Sequence, residues 1–246
     1  MLTTAYNIVY FDYNKLLYIK FLSCNFFCIG CINKLTIWDI HSNKNMGMEH
    51  PKPLELDDLR RIVAEVDKQY GISSIVVGGG EPTADRSLPQ ILTSLAGREL
   101  KVLTNGYLLK RLLPAFVETG AKAVVSVKSI DPQKHEAYTG RSLTPVLEGL
   151  RAAFEAEALD AVETVLIPGF NDAPDVEALA EYISRLDDDI ELIIDAYIPV
   201  PGAPWRKPYD EELLKAREAA ERHLRRVRVR EPGMEMKGRA IIIYPP

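Results

Sequence analysis

The stretch CNFFCIGC, residues 24 to 31, contains all three cysteines of this 246-residue chain, namely Cys24, Cys28 and Cys31. An odd number of thiols cannot all pair, so the spacing argues against a disulfide framework. The first residues also lack the pattern of a secretory signal peptide, and we therefore expect a protein that is not secreted. Three neighbouring thiolates without a fourth suggest a metal centre that keeps one coordination position open.

Composition limits the class of protein. The chain is 47% hydrophobic and 26% charged, which is typical of a soluble globular protein. Its net charge of −5 provides no general basic field, so nucleic acid is not expected as a partner. No apolar run approaches the roughly 18 residues of a membrane-spanning helix, so no membrane is expected either. We expect a cytoplasmic location, where reducing conditions suit an exposed metal site with thiolate ligands.

Strand-like and helix-like patterns alternate along the chain. AYNIVYFDYN and KLLYIKFLSC predict a hairpin, whose second arm is the first strand of the core. Five more apolar strands follow, each with an amphipathic helix: ISSIVVGGG, ELKVLTNG, AKAVVSVKS, DAVETVLIPG and DIELIIDAYIPV. Strands that are apolar throughout favour a parallel sheet covered by helices. The prediction is an α/β fold: a partial (β/α)6 TIM-type barrel over residues 15–205, with an N-terminal hairpin and a short C-terminal extension over 209–246.

Unusual residues follow each of the six predicted core strands. Beyond the cysteines, they are Gly79-Gly80-Glu81, Thr104-Asn105-Gly106, Ser126-Val127-Lys128, Ile167-Pro168-Gly169 and the proline-rich segment after Tyr197. In parallel α/β barrels the loops at the carboxyl ends of the strands converge on one face, where the active site lies. The sequence therefore predicts one site built from all these segments.

The C-x3-C-x2-C spacing and the GGEP sequence resemble the radical S-adenosylmethionine superfamily, over essentially the whole chain. The resemblance implies one domain over residues 1–246. It implies that Cys24, Cys28 and Cys31 hold one 4Fe–4S cluster and that S-adenosylmethionine chelates the fourth iron. A 5′-deoxyadenosyl radical would then abstract hydrogen from a substrate, with electrons from an external donor such as a flavodoxin or ferredoxin. No catalytic side chain is assigned, because the cofactor supplies the difficult chemistry.

Within the superfamily, three segments are similar to pyruvate formate-lyase activating enzymes, which activate glycyl-radical enzymes: CINKLTIWDIH, SVKSIDPQKHEAYTG and VLIPGFND. This resemblance implies that Gly79, Gly80 and Glu81 line the methionyl group of the cofactor. It also implies that Thr104 with Asn105, and Ser126 with Lys128, lie near its ribose and carboxylate. The Lys128 ammonium would pair with that carboxylate. The substrate would be a protein glycine or, alternatively, a small metabolite, a peptide or RNA.

The chain departs from the activase pattern at three positions. Activases carry an aspartate before Thr-Asn-Gly and another two residues before the lysine, where this chain has Leu103 and Ser126. The position before the last cysteine of the motif is commonly aromatic, but here it is Gly30. Adenine packing and any cation site must therefore be arranged differently. The cysteines of an inserted ferredoxin-like domain are missing too, so one cluster is expected.

Other interpretations remain open at this stage. The three thiols and His41 could form a structural Cys3His zinc site in a binding protein. Lys128 could be a solvated strand-end lysine, and Asp131 and His135 are interpreted as groups that shape a loop. Five arginines between Arg222 and Arg230 could bind phosphate, but an edge strand protected by arginines is favoured, with AIIIYPP as a final strand beside it. Trp205 and Tyr209 could form a lid over the site or cap the barrel.

Overall fold

A computed structural model describes residues 1–39, 50–231 and 237–245. Its nine strands form a single sheet in the order β8-β7-β6-β5-β4-β3-β2-β1-β9. The strands are β1 Ala5–Phe11, β2 Leu16–Phe21, β3 Ser74–Gly79, β4 Glu99–Thr104, β5 Lys122–Ser126, β6 Leu159–Leu166, β7 Glu191–Ala196, β8 Val227–Arg230 and β9 Ala240–Tyr244. The helices are α1 Leu56–Tyr70, α2 Leu88–Leu95, α3 Leu109–Thr119, α4 Pro132–Thr139, α5 Thr144–Glu155, α6 Ala173–Ser184 and α7 Asp210–Glu221.

Seven neighbouring strands, β2 to β8, run parallel. Helices connect them, as parallel strands require crossover connections. The sheet does not close, because the edge strands β8 and β9 lie at opposite ends of the strand order. The predicted partial barrel is therefore confirmed. The predicted hairpin is confirmed as well, since β1 pairs antiparallel with β2 and Ile8 lies opposite Ile19.

The last strand lies at the other edge of the sheet from the one predicted. β9 pairs antiparallel with β1, whereas the sequence placed it beside the arginine-rich strand β8. The hairpin explains the difference, because β1 would otherwise present an unpaired row of backbone groups. Side chains reinforce the pairing: Asn7 donates to the carbonyl of Tyr244, and Arg239 forms an ion pair with Asp12. The arginine strand is an edge strand, as predicted.

A short helix occupies the segment after β5, where the sequence predicted only a loop. α4 begins after Asp131, whose carboxylate accepts hydrogen bonds from the backbone N–H groups of Gln133 and Lys134. It ends at Gly140, which has the left-handed conformation common after helix C-termini. Its buried residues include His135 and Thr139 and form no apolar stripe. Hydrophobic periodicity therefore gave no signal for this helix.

The two faces of the sheet differ in character. Alternate residues of each strand pack under the helices in one large apolar core that includes Ile75, Val102 and Leu192. The inner face has only a small separate core, Val124, Ala161 and Ile193, against which Leu103 packs. Further along the same faces, toward the carboxyl ends of β5, β6 and β7, the side chains are Ser126, Glu163 and Asp195. The inner face thus becomes polar where the site was predicted. In the part of the chain that the structure describes, no helix is long and apolar enough to cross a membrane.

Candidate functional site

The three cysteines lie on the segment that directly follows β2, which we call the cysteine loop, residues 23–31. None forms a disulfide; Cys24 is exposed, and Cys28 and Cys31 are half-buried. Burial raises the pKa of the Cys24 thiol and raises that of Cys28 to about 11. Both thiols therefore hold their protons at neutral pH, and a metal that binds them must displace those protons. The donor set itself, three thiols on one loop, fits a cluster that leaves one iron for another ligand.

The end of α4 holds the cysteine loop in place. Backbone N–H groups of Phe27 and Ile29 donate to the carbonyls of Thr139 and Tyr138, at 2.9 and 3.0 Å. The Arg141 guanidinium donates to the carbonyl of Asn25 at 3.0 Å. The cysteine loop is thus fixed to the carbonyl groups at the end of α4 and to the Arg141 side chain that follows it. Sequence reasoning matched that segment to the activases but did not predict this contact.

The loop after β3 packs against the start of the cysteine loop. The Gly80 N–H donates to the carbonyl of Phe21 at 2.7 Å, and the Glu81 N–H donates to that of Ser23 at 2.5 Å. A Cβ atom on Gly80 would lie 2.3 Å from the Ser23 carbonyl oxygen and 2.7 Å from that of Phe21. Glycine is needed here because another backbone approaches closely. The neighbour in the structure is the end of β2 with the start of the cysteine loop, and the expected contact of Gly80 with the methionyl group stays a prediction.

The Glu81 carboxylate links the loops that follow β3 and β4. It is 1% exposed. One oxygen accepts hydrogen bonds from the Thr83 N–H, the Thr83 hydroxyl and the Thr104 hydroxyl, at 3.0, 2.6 and 2.7 Å. The other accepts the Asn105 N–H at 2.5 Å. Burial nevertheless raises its pKa. Glu81 therefore orients Thr104 and Asn105, and its predicted contact with the methionyl group remains a prediction.

Asn105 joins this network to the cysteine loop. Its side-chain amide donates to the Asn25 side-chain oxygen at 2.7 Å, and its own oxygen accepts the Tyr107 N–H. Asn25 therefore lies between Asn105 on one side and Arg141 on the other. Sequence reasoning missed Asn25 and Arg141. A polar residue directly after the first cysteine was the one available signal.

The second predicted pair, Ser126 and Lys128, lies on a separate chain of hydrogen bonds. The Lys128 ammonium donates to the Ser126 hydroxyl at 2.6 Å, and this hydroxyl lies 3.0 Å from the Glu163 carboxylate. Arg230 forms an ion pair with Glu163 and a bidentate one with Asp195, at 2.6 and 2.8 Å. Burial opposes ionisation of Glu163, but the Arg230 and Lys128 cations outweigh it and its pKa is lowered. Burial and the Glu163 charge raise the pKa of Asp195 to about 6.

Electrostatics connects this second group to the thiols. The Lys128 ammonium is close enough to Cys28 to oppose the rise in the thiol pKa that burial causes. The structure therefore brings together the cysteines, the Gly-Gly-Glu loop, Thr104 with Asn105 and the Ser126–Lys128 pair at one end of the sheet. All ten predicted site residues lie there: Cys24, Cys28, Cys31, Gly79, Gly80, Glu81, Thr104, Asn105, Ser126 and Lys128.

Gly30 is packed against aromatic side chains. A Cβ atom at this position would lie 2.5 Å from the Tyr138 hydroxyl and 2.8 Å from the Tyr197 ring. Tyr138 also contacts Phe170 and Trp205, with ring centroids 5.5 and 5.7 Å apart. The aromatic side chains next to Gly30 therefore come from α4 and from the loops after β6 and β7. Trp205 is part of this group, whereas Tyr209, 65% exposed, is not in it.

The zinc interpretation gains no support from the described residues. Among them, no three His, Cys, Asp or Glu side chains are arranged as a single metal ion requires. His41 lies outside the described residues. His135 is fully buried beside Phe26, and neither of its ring nitrogens has a hydrogen-bond partner. Burial lowers its pKa from 6.5 to about 4, so this histidine is neutral at physiological pH.

The fold and site define the class of protein. The model of the Radical SAM superfamily matches residues 18–183, and the chain belongs to that superfamily. Membership implies an enzyme that uses a 4Fe–4S cluster and S-adenosylmethionine.

Relatives fall into more than one functional group. A protein of Methanocaldococcus jannaschii named as a glycyl-radical enzyme activating enzyme is 29% identical, and the match covers 72% of this chain and 70% of that protein. The GTP 3′,8-cyclase of Edwardsiella ictaluri is 34% identical, over 66% of this chain and 49% of that protein. The chain thus spans about half the length of such cyclases.

Solved structures support the same fold. Streptococcus suis SuiB bound to S-adenosylmethionine has a TM-score of 0.65 at 16% identity, covering 87% of this chain and 49% of that one. A domain of a pyruvate formate-lyase-activating enzyme from Bacteroides vulgatus has a TM-score of 0.53 at 19% identity, covering 64% of this chain and 98% of that one. At these identities the likeness concerns the fold alone.

Proposed function

We propose that this protein activates a glycyl-radical enzyme, with Cys24, Cys28 and Cys31 as the ligands of one 4Fe–4S cluster. The observation that carries the proposal is the cysteine loop, which presents three free thiols and is fixed by backbone hydrogen bonds to α4 and to the Gly-Gly-Glu loop. The similarity to the Methanocaldococcus jannaschii protein supports the activase role. An external electron donor and a protein substrate follow as expected partners.

Each group of residues has a distinct role in this proposal. When bound, the cluster and S-adenosylmethionine supply a 5′-deoxyadenosyl radical for hydrogen abstraction. The N–H groups of Gly80 and Glu81 tie the loop after β3 to the end of β2 and to the start of the cysteine loop, and the Glu81 carboxylate fixes Thr104 and Asn105 toward the ribose. The Lys128 ammonium, steadied by Ser126, binds the carboxylate of S-adenosylmethionine. The aromatic group around Tyr138 takes the place of the missing aromatic residue at Gly30.

The similarity to GTP 3′,8-cyclases favours a second candidate, a radical reaction on a purine nucleotide. It rests on 34% identity over 66% of this chain. Such an enzyme needs a pocket with fixed polar groups for a small ligand. An activase instead needs access for a polypeptide segment. In the described part of the chain the sheet is open, with β8 and β9 at its two edges, which is compatible with the wider opening.

The test is anaerobic reconstitution with iron and sulfide, then reduction with dithionite and chromatography for 5′-deoxyadenosine. We expect about four irons per chain in wild type and no cleavage in Cys28→Ala, with Arg225→Gln as a control distant from the loop. Stoichiometric zinc without iron uptake would contradict the proposal. Adding a glycyl-radical enzyme polypeptide and recording an electron paramagnetic resonance spectrum tests the activase role, while consumption of GTP would instead support the nucleotide reaction.

A further inference from the structure

A carboxylate on the neighbouring strand β6, that of Glu163, is linked to Lys128 through one hydroxyl group. Ser126 and Glu163 lie opposite each other in the parallel pairing of β5 and β6. The Ser126 hydroxyl accepts a hydrogen bond from the Lys128 ammonium at 2.6 Å and can donate its own proton to Glu163 at 3.0 Å. A hydroxyl can accept and donate at once, so it transmits the orientation of one charged group to the other. Glu163 has a side chain that is only 14% exposed.

This arrangement explains a departure from the activase pattern. Activases carry an aspartate two residues before the lysine, where this chain has Ser126. We propose that Glu163 is a positioning residue for Lys128: through the Ser126 hydroxyl it supplies, from β6, the carboxylate that β5 lacks. The inference rests on the proposed function, in which Lys128 binds the carboxylate of S-adenosylmethionine.

Arg230 keeps Glu163 charged and in place, and Asp195 fixes Arg230. Arg230 bonds both carboxylates, so Glu163 has a cation on each side, Arg230 from β8 and Lys128 through Ser126. Hydrogen bonds between charged groups in partly buried sites are stronger than neutral ones and restrict geometry. Residues of β5, β6 and β8 thus determine the orientation of the Lys128 ammonium. Glu163 on β6 connects Ser126 on β5 with Arg230 on β8.

The experiment compares the binding of two ligands, one that carries the methionyl carboxylate and one that lacks it. The dissociation constants of S-adenosylmethionine and of its decarboxylated analogue are determined by equilibrium dialysis on the reconstituted protein. We expect Glu163→Gln to weaken S-adenosylmethionine binding about tenfold, since the charged acceptor of the Ser126 hydroxyl becomes a neutral and weaker one. The affinity for the decarboxylated analogue should not change. Glu191→Gln is the matched control, because Glu191 also pairs with an arginine, Arg228, on the inner face of β7 but has no link to Lys128.

A rescue variant separates positioning from general damage. Ser126→Asp combined with Glu163→Gln restores the charge count and puts a carboxylate where activases carry one, so binding should return to within about threefold of wild type. Equal weakening for both ligands, or the same loss in Glu191→Gln, would overturn the inference. If wild type takes up its cluster and binds S-adenosylmethionine but Glu163→Gln binds it unchanged, the inference fails and the proposed function stands. If wild type takes up no cluster, the proposed function fails and the inference with it.

Discussion

Two segments of this chain each contain several residues of one unusual type. They differ in whether those side chains find bonding partners within the fold. The cysteine loop has three thiols, none of them in a disulfide, and the Phe26 N–H donates a hydrogen bond to the Cys24 sulfur at 3.4 Å. The segment 222–230 has five arginines, and every one is bonded to acidic or carbonyl groups of the same chain. The pairs are Arg222–Glu177, Arg225–Asp188, Arg226 with the Asp189 carbonyl, Arg228–Glu191, and Arg230 with Glu163 and Asp195.

This difference distinguishes clusters of one residue type that serve the fold from clusters that are available to a ligand. Arginines that find partners within the fold are explained by the fold, and a phosphate ligand is not needed to account for them. The thiols form no bonds to one another, yet the loop that carries them is held by hydrogen bonds from three other segments. Thiols that are held in place by their loop, but are not bonded to one another, have the arrangement expected of ligands for a bound group. Substitutions that remove the supports of the cysteine loop should therefore have larger effects than substitutions of the exposed arginines.

The largest loss of stability is expected at Glu81. In Glu81→Ala the N–H groups of Thr83 and Asn105 lose their buried acceptor, and each unsatisfied group costs about 1–3 kcal/mol. The removed side chain also leaves a cavity. We expect the free energy of unfolding of the metal-free protein to fall by about 4 kcal/mol, measured by urea denaturation.

Glu65→Gln is the control for this change, because Glu65 lies on an exposed helix face and makes one weak ion pair with Arg61 at 3.8 Å. A loss below about 1 kcal/mol is expected there. Similar losses in both variants would mean that Glu81 is an ordinary carboxylate and does not organise the site.

His135, beneath the cysteine loop, should make stability dependent on pH. Burial lowers its pKa from 6.5 to about 4, so the unfolded chain binds a proton in a range where the folded protein does not. Its contribution is complete above pH 6.5 and is lost as the pH falls toward 4, by about 3 kcal/mol in total. Denaturation series between pH 4 and 7 on wild type and His135→Phe measure it. The variant should show a smaller slope, and identical slopes would contradict the prediction.

Gly80→Ala should act on the cysteine loop through backbone contact alone. The added methyl group would overlap the carbonyl oxygens of Ser23 and Phe21, which cannot move without shifting the loop. Overpacking of this kind costs about 1–3 kcal/mol. We expect that loss together with reduced iron uptake. Gly97→Ala is the control for iron uptake, because no atom lies within 4 Å of an added Cβ there and its positive φ makes it a backbone-strain variant without a clash. Normal iron uptake in Gly80→Ala would show that the loop adjusts freely.

Much of the fold and the location of the site could be predicted from the sequence. Apolar strands alternating with amphipathic helices indicated the parallel sheet, and the residues after each strand indicated the end of the sheet where Cys24, Glu81 and Lys128 lie. Contacts between distant segments had no sequence signal. The pairing of β9 with β1 depends on an edge that exists only once the sheet has formed. The link from Lys128 to Glu163 depends on the register of β5 with β6.

The smallest effect is expected in the arginine segment, at Arg225. This residue pairs with Asp188 at 3.0 Å, but the two side chains are 71% and 45% exposed, so solvent screens the attraction. Exposed pairs contribute about 0.2–1 kcal/mol. Arg225→Gln should therefore lower the free energy of unfolding by less than 1 kcal/mol and leave iron uptake unchanged. A double-mutant cycle with Asp188→Asn isolates the pair. If Arg225→Gln instead reduced cofactor cleavage severalfold, the arginines would have a role in the reaction, and the contrast between the two segments would not hold.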